Sequence, residues 1–386
     1  MMNFRTILVI ITIITSFVSC KKNEIILDND ASTPSLNKGY IQFDTDIKTK
    51  GGIIMGTSLK DNFAVLGYQF RGTWESHQVL AEPNVFYDNE NKILLPCEIE
   101  YDTTDGLYKY DPPQEWTGNN YYFFGYYPAD NNSITLFDNG TLRHGEPYIT
   151  YVLPDTNNPN ATIDVMTAAV STNANTSTSV GMHMYHRLSA IDVSIRNKTI
   201  IDTDGNSSTD ADKQKLTIEI SDLKVVLGNA DNPEGQLVTS AIIPLNPETT
   251  ISPISEAKGN RTFYLVGDYD WTSNIVTVAP ETTKIIDNEN GTPDKEDDDT
   301  PLSVLLIPQN SYLQGTITIT YKQTYEEGGN TTTVYAGTRE FNFTFNKVLE
   351  ERRRYSIDLT FTSDAMSISV EPFTDWDSKN VNHDFM

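Results

Sequence analysis

The side chains able to do chemistry are few, and their spacing suits catalysis poorly. Five histidines occur, at positions 77, 144, 183, 186 and 383, and none falls in an HExxH or GxSxG pattern. His183 and His186 are three apart, which on a helix would let both face one metal ion; in a strand that spacing sends them to opposite faces. The strand reading fits their surroundings, so one solvated and one packed histidine is expected. Cys97, in the apolar run Ile93-Leu94-Leu95-Pro96-Cys97, has no CxxC or Cys/His neighbours and reads as a small buried hydrophobe. Carboxylates are so plentiful that pairing any two as acid and base would be arbitrary. No phosphate-binding glycine loop stands between a strand and a helix. The residues therefore indicate no enzyme, no cofactor and no metal site.

The other cysteine, Cys20, has a different context. Arg5 precedes an apolar run, Ile7 to Val18, that is shorter than the ~20 residues needed to span a bilayer. The run ends in Phe17-Val18-Ser19-Cys20, with Lys21, Lys22, Asn23 and Glu24 following. A small residue before a cysteine, at the end of such a run, looks like a lipobox. Residues 1–19 then read as a signal peptide, and Cys20 as the new N-terminus carrying diacylglycerol. With Cys20 lipidated, Cys97 has no disulfide partner, so the exported chain relies on its cores for stability.

The charge balance narrows the partners. Of 386 residues 53 are acidic and 28 basic, a formal charge of −25 that opposes binding to nucleic-acid phosphates. Much of the acid lies in two runs, Asp202 to Asp212 and Asp287 to Asp299. Neither has the ligand order of an EF-hand loop, and both read as solvated hairpin tips, with calcium binding the alternative. Trp74, Trp116, Trp271 and Trp376 stand beside polar or turn residues. They read chiefly as amphipathic core residues, the alternative being platforms for sugar rings.

The elements expected to position these residues are strands. Residues 20–39 are rich in Asn, Asp, Ser and Pro and form a tether. From Tyr40 onward, short alternating runs are separated by Gly, Pro, Asn and Asp, and no helical periodicity persists for three turns. Tyr40 to Ile47 is the first strand, with Ile41, Phe43 and Thr45 on one face. Asn62 to Phe70 follows, its odd and even residues on opposite faces. Later strands include Tyr121 to Tyr127, Ile163 to Ala169, Met182 to Arg196, Thr316 to Tyr321, Thr331 to Ala336, Glu340 to Phe345, Tyr355 to Phe361 and Met366 to Pro372. A polar stretch, Ser171 to Ser179, reads as a domain linker, and a short helix is expected near Ser252 to Lys258. Length and pattern together predict an all-β chain of two sandwiches, residues 40–175 and 176–386.

Several segments, taken in order, resemble the fimbrillin family of Bacteroidia. The lipobox and tether come first, then Tyr40 to Ile47 followed by Lys48, Lys50 and Gly-Gly. Trp116 with Tyr121-Tyr-Phe-Phe-Gly-Tyr-Tyr-Pro128, Ile163-Asp-Val-Met166-Thr-Ala168, His186-Arg-Leu-Ser-Ala-Ile191, Leu305-Leu-Ile-Pro-Gln309, Tyr355-Ser-Ile-Asp-Leu359 and the late Trp376 complete the likeness. The resemblance implies two transthyretin-like (immunoglobulin-like) β-sandwiches in tandem, at the outer membrane or cell surface. It implies a lipoprotein whose partners are membrane lipid, other fimbrial subunits and a host or bacterial surface ligand. It also implies assembly by donor-strand exchange: a protease removes the first strand, and a C-terminal strand from another subunit fills the groove. The cut would follow Lys48 or Lys50. The family usually has arginine there, so either the protease accepts lysine or the subunit stays untrimmed and lipid-bound as an anchor. The donor strand would draw on Met366, Ile368 and Val370, which alternate with serines; the same segment also reads as the last strand of its own domain. Arg352-Arg-Arg354 reads as a basic turn, a protease site being the alternative. A monomeric surface lipoprotein that binds glycans is the competing function.

Overall fold

Alternation of apolar and polar residues makes each strand two-faced, and the faces decide how the sheets stack. The computed structural model describes residues 39–47, 59–73, 84–117, 119–137, 146–173, 179–201, 214–229, 231–267, 275–286, 302–345, 348–362 and 366–375. Cys20, Lys48, Lys50, Trp74, Trp271, Trp376, both acidic runs and the histidines at 77, 144 and 383 lie outside the described residues. Strands are numbered in chain order.

The first sheet has seven strands, in the order β1 (Phe43–Ile47), β9 (Val180–His186), β8 (Met166–Asn173), β5 (Asn120–Tyr127), β2 (Phe63–Phe70), β3 (Cys97–Asp102) and β4 (Leu107–Lys109). A four-stranded sheet runs β16 (Ser252–Pro253), β15 (Ser240–Pro244), β7 (Tyr148–Val152) and β6 (Ile134–Leu136). A third joins β20 (Thr283–Ile285), β10 (Ser189–Lys198), β24 (Arg353–Thr362) and β25 (Met366–Asp375), with β21 (Val304–Leu306) also on β10. A fourth joins β18 (Arg261–Val266), β13 (Thr217–Leu227), β22 (Gln314–Glu327) and β23 (Asn330–Thr344), with β19 (Val276–Val278) on β13. Two small ribbons pair β11 (Ile200–Ile201) with β12 (Gln214–Lys215) and β14 (Leu237–Val238) with β17 (Lys258–Gly259).

The chain is all-β, as its sequence predicts, and its sheets stack as sandwiches. The central strand β2 shows how. Phe63 and Val65 enter a core with Phe43, Phe86 and Phe123, while Ala64, Leu66 and Tyr68 enter the other core, with Ile191, Ile220 and Leu359. The odd and even residues do face opposite ways, and both faces are covered.

Several local expectations are corrected. The segment expected to be helical, Ser252 to Lys258, is β16, a turn and the first residue of β17, because its side chains show no apolar stripe to bury. Ser171, Thr172 and Asn173 of the expected linker belong to β8 and pair with Tyr122, Tyr121 and Asn120, since polar residues suffice where the backbone bonds are satisfied. Met182 to Arg196 is two strands, broken at Arg187 and Leu188. Thr331 to Ala336 and Glu340 to Thr344 lie on one strand, β23, which stops before Phe345 and pairs with β22 across Gly328 and Gly329, both at positive φ.

Candidate assembly site

The N-terminal strand is held at an edge. β1 ends the seven-stranded sheet and, among the described residues, pairs with β9 alone, in parallel, from Phe43 opposite Val180 to Ile47 opposite Met184. Just ahead of it, the Ile41 N–H donates to the Gln114 carbonyl at 2.8 Å and the Trp116 N–H donates to the Gly39 carbonyl at 3.2 Å. The predicted face is the buried one: Ile41, Phe43 and Thr45 are all under a tenth exposed, and Asp44 is exposed. Burying Ile41 and Phe43 contributes on the order of 1.5–3 kcal/mol each.

The groove beneath β1 is aromatic. Phe43 meets Phe123 edge-on at 5.4 Å between centroids and Tyr110 at 5.8 Å, with Phe86 and Phe63 just beyond at 6.1 and 6.4 Å. The edge-on geometry sets positive ring edges against negative faces. Two tyrosines, Tyr108 in β4 and Tyr110 just after it, close the groove. The Tyr110 hydroxyl donates to the Ile41 carbonyl at 2.9 Å and accepts from the Gln114 N–H at 3.2 Å. Tyr108 shares a 2.6 Å hydrogen bond with the Thr45 hydroxyl, which also accepts from the Leu59 N–H at 3.2 Å. Burial raises the Tyr108 phenol above its ordinary pKa, and the bond to Thr45 partly offsets this.

The C-terminal candidate strand is also at an edge. β25 pairs antiparallel with β24 at the end of its sheet, so Met366 to Asp375 is the last strand of its own sheet in this structure. Met366 is buried, Ile368 is half-buried against the larger core, and Ser367 and Ser369 are exposed. The side chain of Val370 lies outside the described residues. The groove and this strand occupy different sheets, so the structure does not bring the first strand's site and the candidate donor together.

The remaining candidates are structural. His183 is exposed on β9, whereas His186 is buried with its Nδ1 2.8 Å from Asp164 Oδ1, matching the expected one solvated and one packed histidine. Trp116 is buried edge-on against Tyr121 at 4.9 Å, the core role, which leaves no described indole as a sugar platform. Cys97 is buried, and burial followed by the charge of Glu98 pushes its thiol pKa up to about 12. Arg354 is buried beside Asp192, with its Nη2 2.6 Å from Oδ2, and Arg352 turns the chain at φ 62°. The basic run is therefore a turn only at Arg352, since Arg353 and Arg354 open β24 and Arg354 is buried.

Nothing in the sequence pattern assigns a role to Arg187, inside the run His186-Arg-Leu188. Its side chain is fully buried and donates to Glu351 at 2.5 Å, Thr167 Oγ1 at 2.8 Å, the Pro244 carbonyl at 2.7 Å and the Thr249 carbonyl at 2.6 Å. It ties β8, the loop after β15 and the turn before β24 together. Burial lowers its pKa and Glu351 counters this. The available signal was a cation at the head of the apolar run Leu188 to Ile195, which requires partners wherever it is buried.

A solved structure shares this architecture. A fimbrial protein from Bacteroides vulgatus superposes with a TM-score of 0.54 at 17% identity, covering 87% of this chain and 99% of that one. A candidate cell adhesion protein from Bacteroides ovatus gives a TM-score of 0.45 at 13% identity, covering 88% of this chain and 98% of the other. Curated proteins gave no match. The described fold accompanies a match to the fimbrillin-like family model across residues 61–376, most of the length, and the chain belongs to that family.

Proposed function

We propose that this chain is a fimbrial structural or adhesive subunit, exported as a lipoprotein through Cys20 and assembled on the outer membrane surface by strand exchange. Cleavage after Lys48 or Lys50 frees β1, and a C-terminal strand from another subunit, drawn from the segment that begins with Met366, Ile368 and Val370 and runs to Trp376 and beyond, occupies the groove. An uncut chain keeps its lipid and serves as an anchor. Two sandwich domains in tandem, residues 40–175 and 176–386, remain the proposed organisation, with β9, just past that boundary, adding to the sheet of the first.

One observation carries the reading: among the described residues the main chain of β1 pairs with a single neighbouring strand, yet its apolar face fills an aromatic groove. Such a strand can leave without breaking any interior pair, and the site it leaves is an open sheet edge lined with alternating pockets. Head-to-tail filling of that edge is a non-closing contact, which yields fibres. Family membership supports the same reading.

Intact mass and size-exclusion chromatography of the tether-free protein, before and after limited trypsin, test it. Loss of the first strand together with growth of ladders or filaments is the expected result. A folded monomer after the cut removes polymerisation, and one that binds polysaccharide restores the glycan-binding alternative.

A further inference from the structure

Most bonds that hold β1 in place are indifferent to its sequence. Those from the Gln114 carbonyl, the Trp116 and Val180 N–H groups and the Tyr110 hydroxyl all reach main-chain atoms, which any strand supplies. Among the described contacts, one side chain of β1 bonds beyond its own strand: Thr45, bracketed by the Tyr108 hydroxyl at 2.6 Å and the Leu59 N–H at 3.2 Å. The Leu59 N–H belongs to a buried residue and the Tyr108 hydroxyl to a half-buried one, so covering them with an apolar side chain is costly. Removing β1 opens both to water, and an incoming strand that covers them again keeps them paired only by presenting a hydroxyl at that position. The pocket two residues earlier, occupied by Phe43, is ringed by Phe63, Phe86, Tyr110 and Phe123 and calls for an aromatic.

Resting on the strand-exchange reading, we infer that the groove selects its incoming strand through a hydroxyl subsite formed by Tyr108 and the Leu59 backbone, and that Trp376-Asp377-Ser378 of a second copy supplies the matching pattern. Residues 376–386 lie beyond the described structure and enter only as sequence. Phe43-Asp44-Thr45 and Trp376-Asp377-Ser378 each read aromatic, aspartate, hydroxyl. In β1 the middle aspartate has its own use, since Asp44 Oδ1 accepts from the Thr45 N–H at 2.9 Å. Aligned this way, the donor lies parallel to β9, as β1 does, and Thr374 stands at the Ile41 position. The indole is larger than the phenyl ring it replaces, so Trp376→Phe is expected to bind at least as well.

Fluorescent peptides spanning residues 39–47 and 370–386 are titrated by anisotropy against the full chain, uncut and after trypsin, with intact mass showing whether the first strand has left. Both peptides are expected to bind the emptied chain and not the uncut one. Thr45→Val in the first and Ser378→Ala in the second should each weaken binding about tenfold. Thr374→Ala should change little, and Tyr108→Phe in the receiving chain should shrink the hydroxyl effect. Equal binding of the hydroxyl-less peptides would overturn the subsite while leaving exchange intact. Binding of 39–47 without 370–386 would overturn the tail assignment. If neither peptide binds an emptied chain, or the first strand stays bound after the cut, the exchange reading falls and the subsite with it.

Discussion

Phe43→Ala separates the retention of β1 from the stability of the rest. Phe43 is 6% exposed and meets four rings between 5.4 and 6.4 Å, so its truncation removes a full aromatic burial and leaves a cavity. Phenylalanine to alanine in a core costs about 3–5 kcal/mol, and the lower end applies at an edge strand whose neighbours can close in. About 3 kcal/mol corresponds to a rise on the order of a hundredfold in the population with β1 detached. Hydrogen exchange followed by mass spectrometry reads this locally. Amides of residues 43–47 and their partners 180–184 should exchange on the order of a hundredfold faster, while β13 and β22, in another sheet, keep wild-type protection. A uniform loss of protection across all sheets would show that β1 is not a separable element and would refute the reasoning behind a removable strand.

Arg187→Met should destabilise the whole chain by about 3–5 kcal/mol in urea unfolding, because Glu351 and the Thr249 carbonyl lose their buried cation. Arg187→Lys should recover only part of this, since an ammonium cannot span the same fork of acceptors. Gly67→Ala should also destabilise, as its new Cβ would lie 2.7 Å from Val85 Cβ and 2.8 Å from Phe86 Cε2; unchanged thermal unfolding would show that the strand shifts freely. The Cys97 thiol should resist alkylation at pH 8 in the native chain and react once unfolded. Its pKa is raised from 9.0 to about 12, so the folded state holds the proton more tightly and stability falls as pH rises from about 9 towards 12. Cys97→Ala should flatten that slope, and an identical slope in the variant would assign the loss to other groups.

Much of this was legible in the linear chain. The alternation of Ile41, Phe43 and Thr45 gave the buried face of β1, and the strand setting of His183 and His186 placed one outside and one inside. The apolar setting of Cys97 gave its burial. These follow from side-chain periodicity, a property of neighbours along the chain. Boundaries were read less well where strands ran on through polar residues, as Ser171 to Asn173 and the threonine-rich β23 do, because a ladder of main-chain bonds makes no demand on side-chain type.

What the sequence determined, then, was the strand class, the buried face of many strands and the family pattern. Tertiary structure alone decided which strands became neighbours. Nothing local pairs residues 43–47 with 180–184 in parallel, covers both faces of β2, or gathers Thr167, Pro244, Thr249 and Glu351 around Arg187. A period of two says that a side chain faces one way; what covers that face depends on how distant segments pack, and main-chain groups, alike at nearly every residue, do not specify their partners.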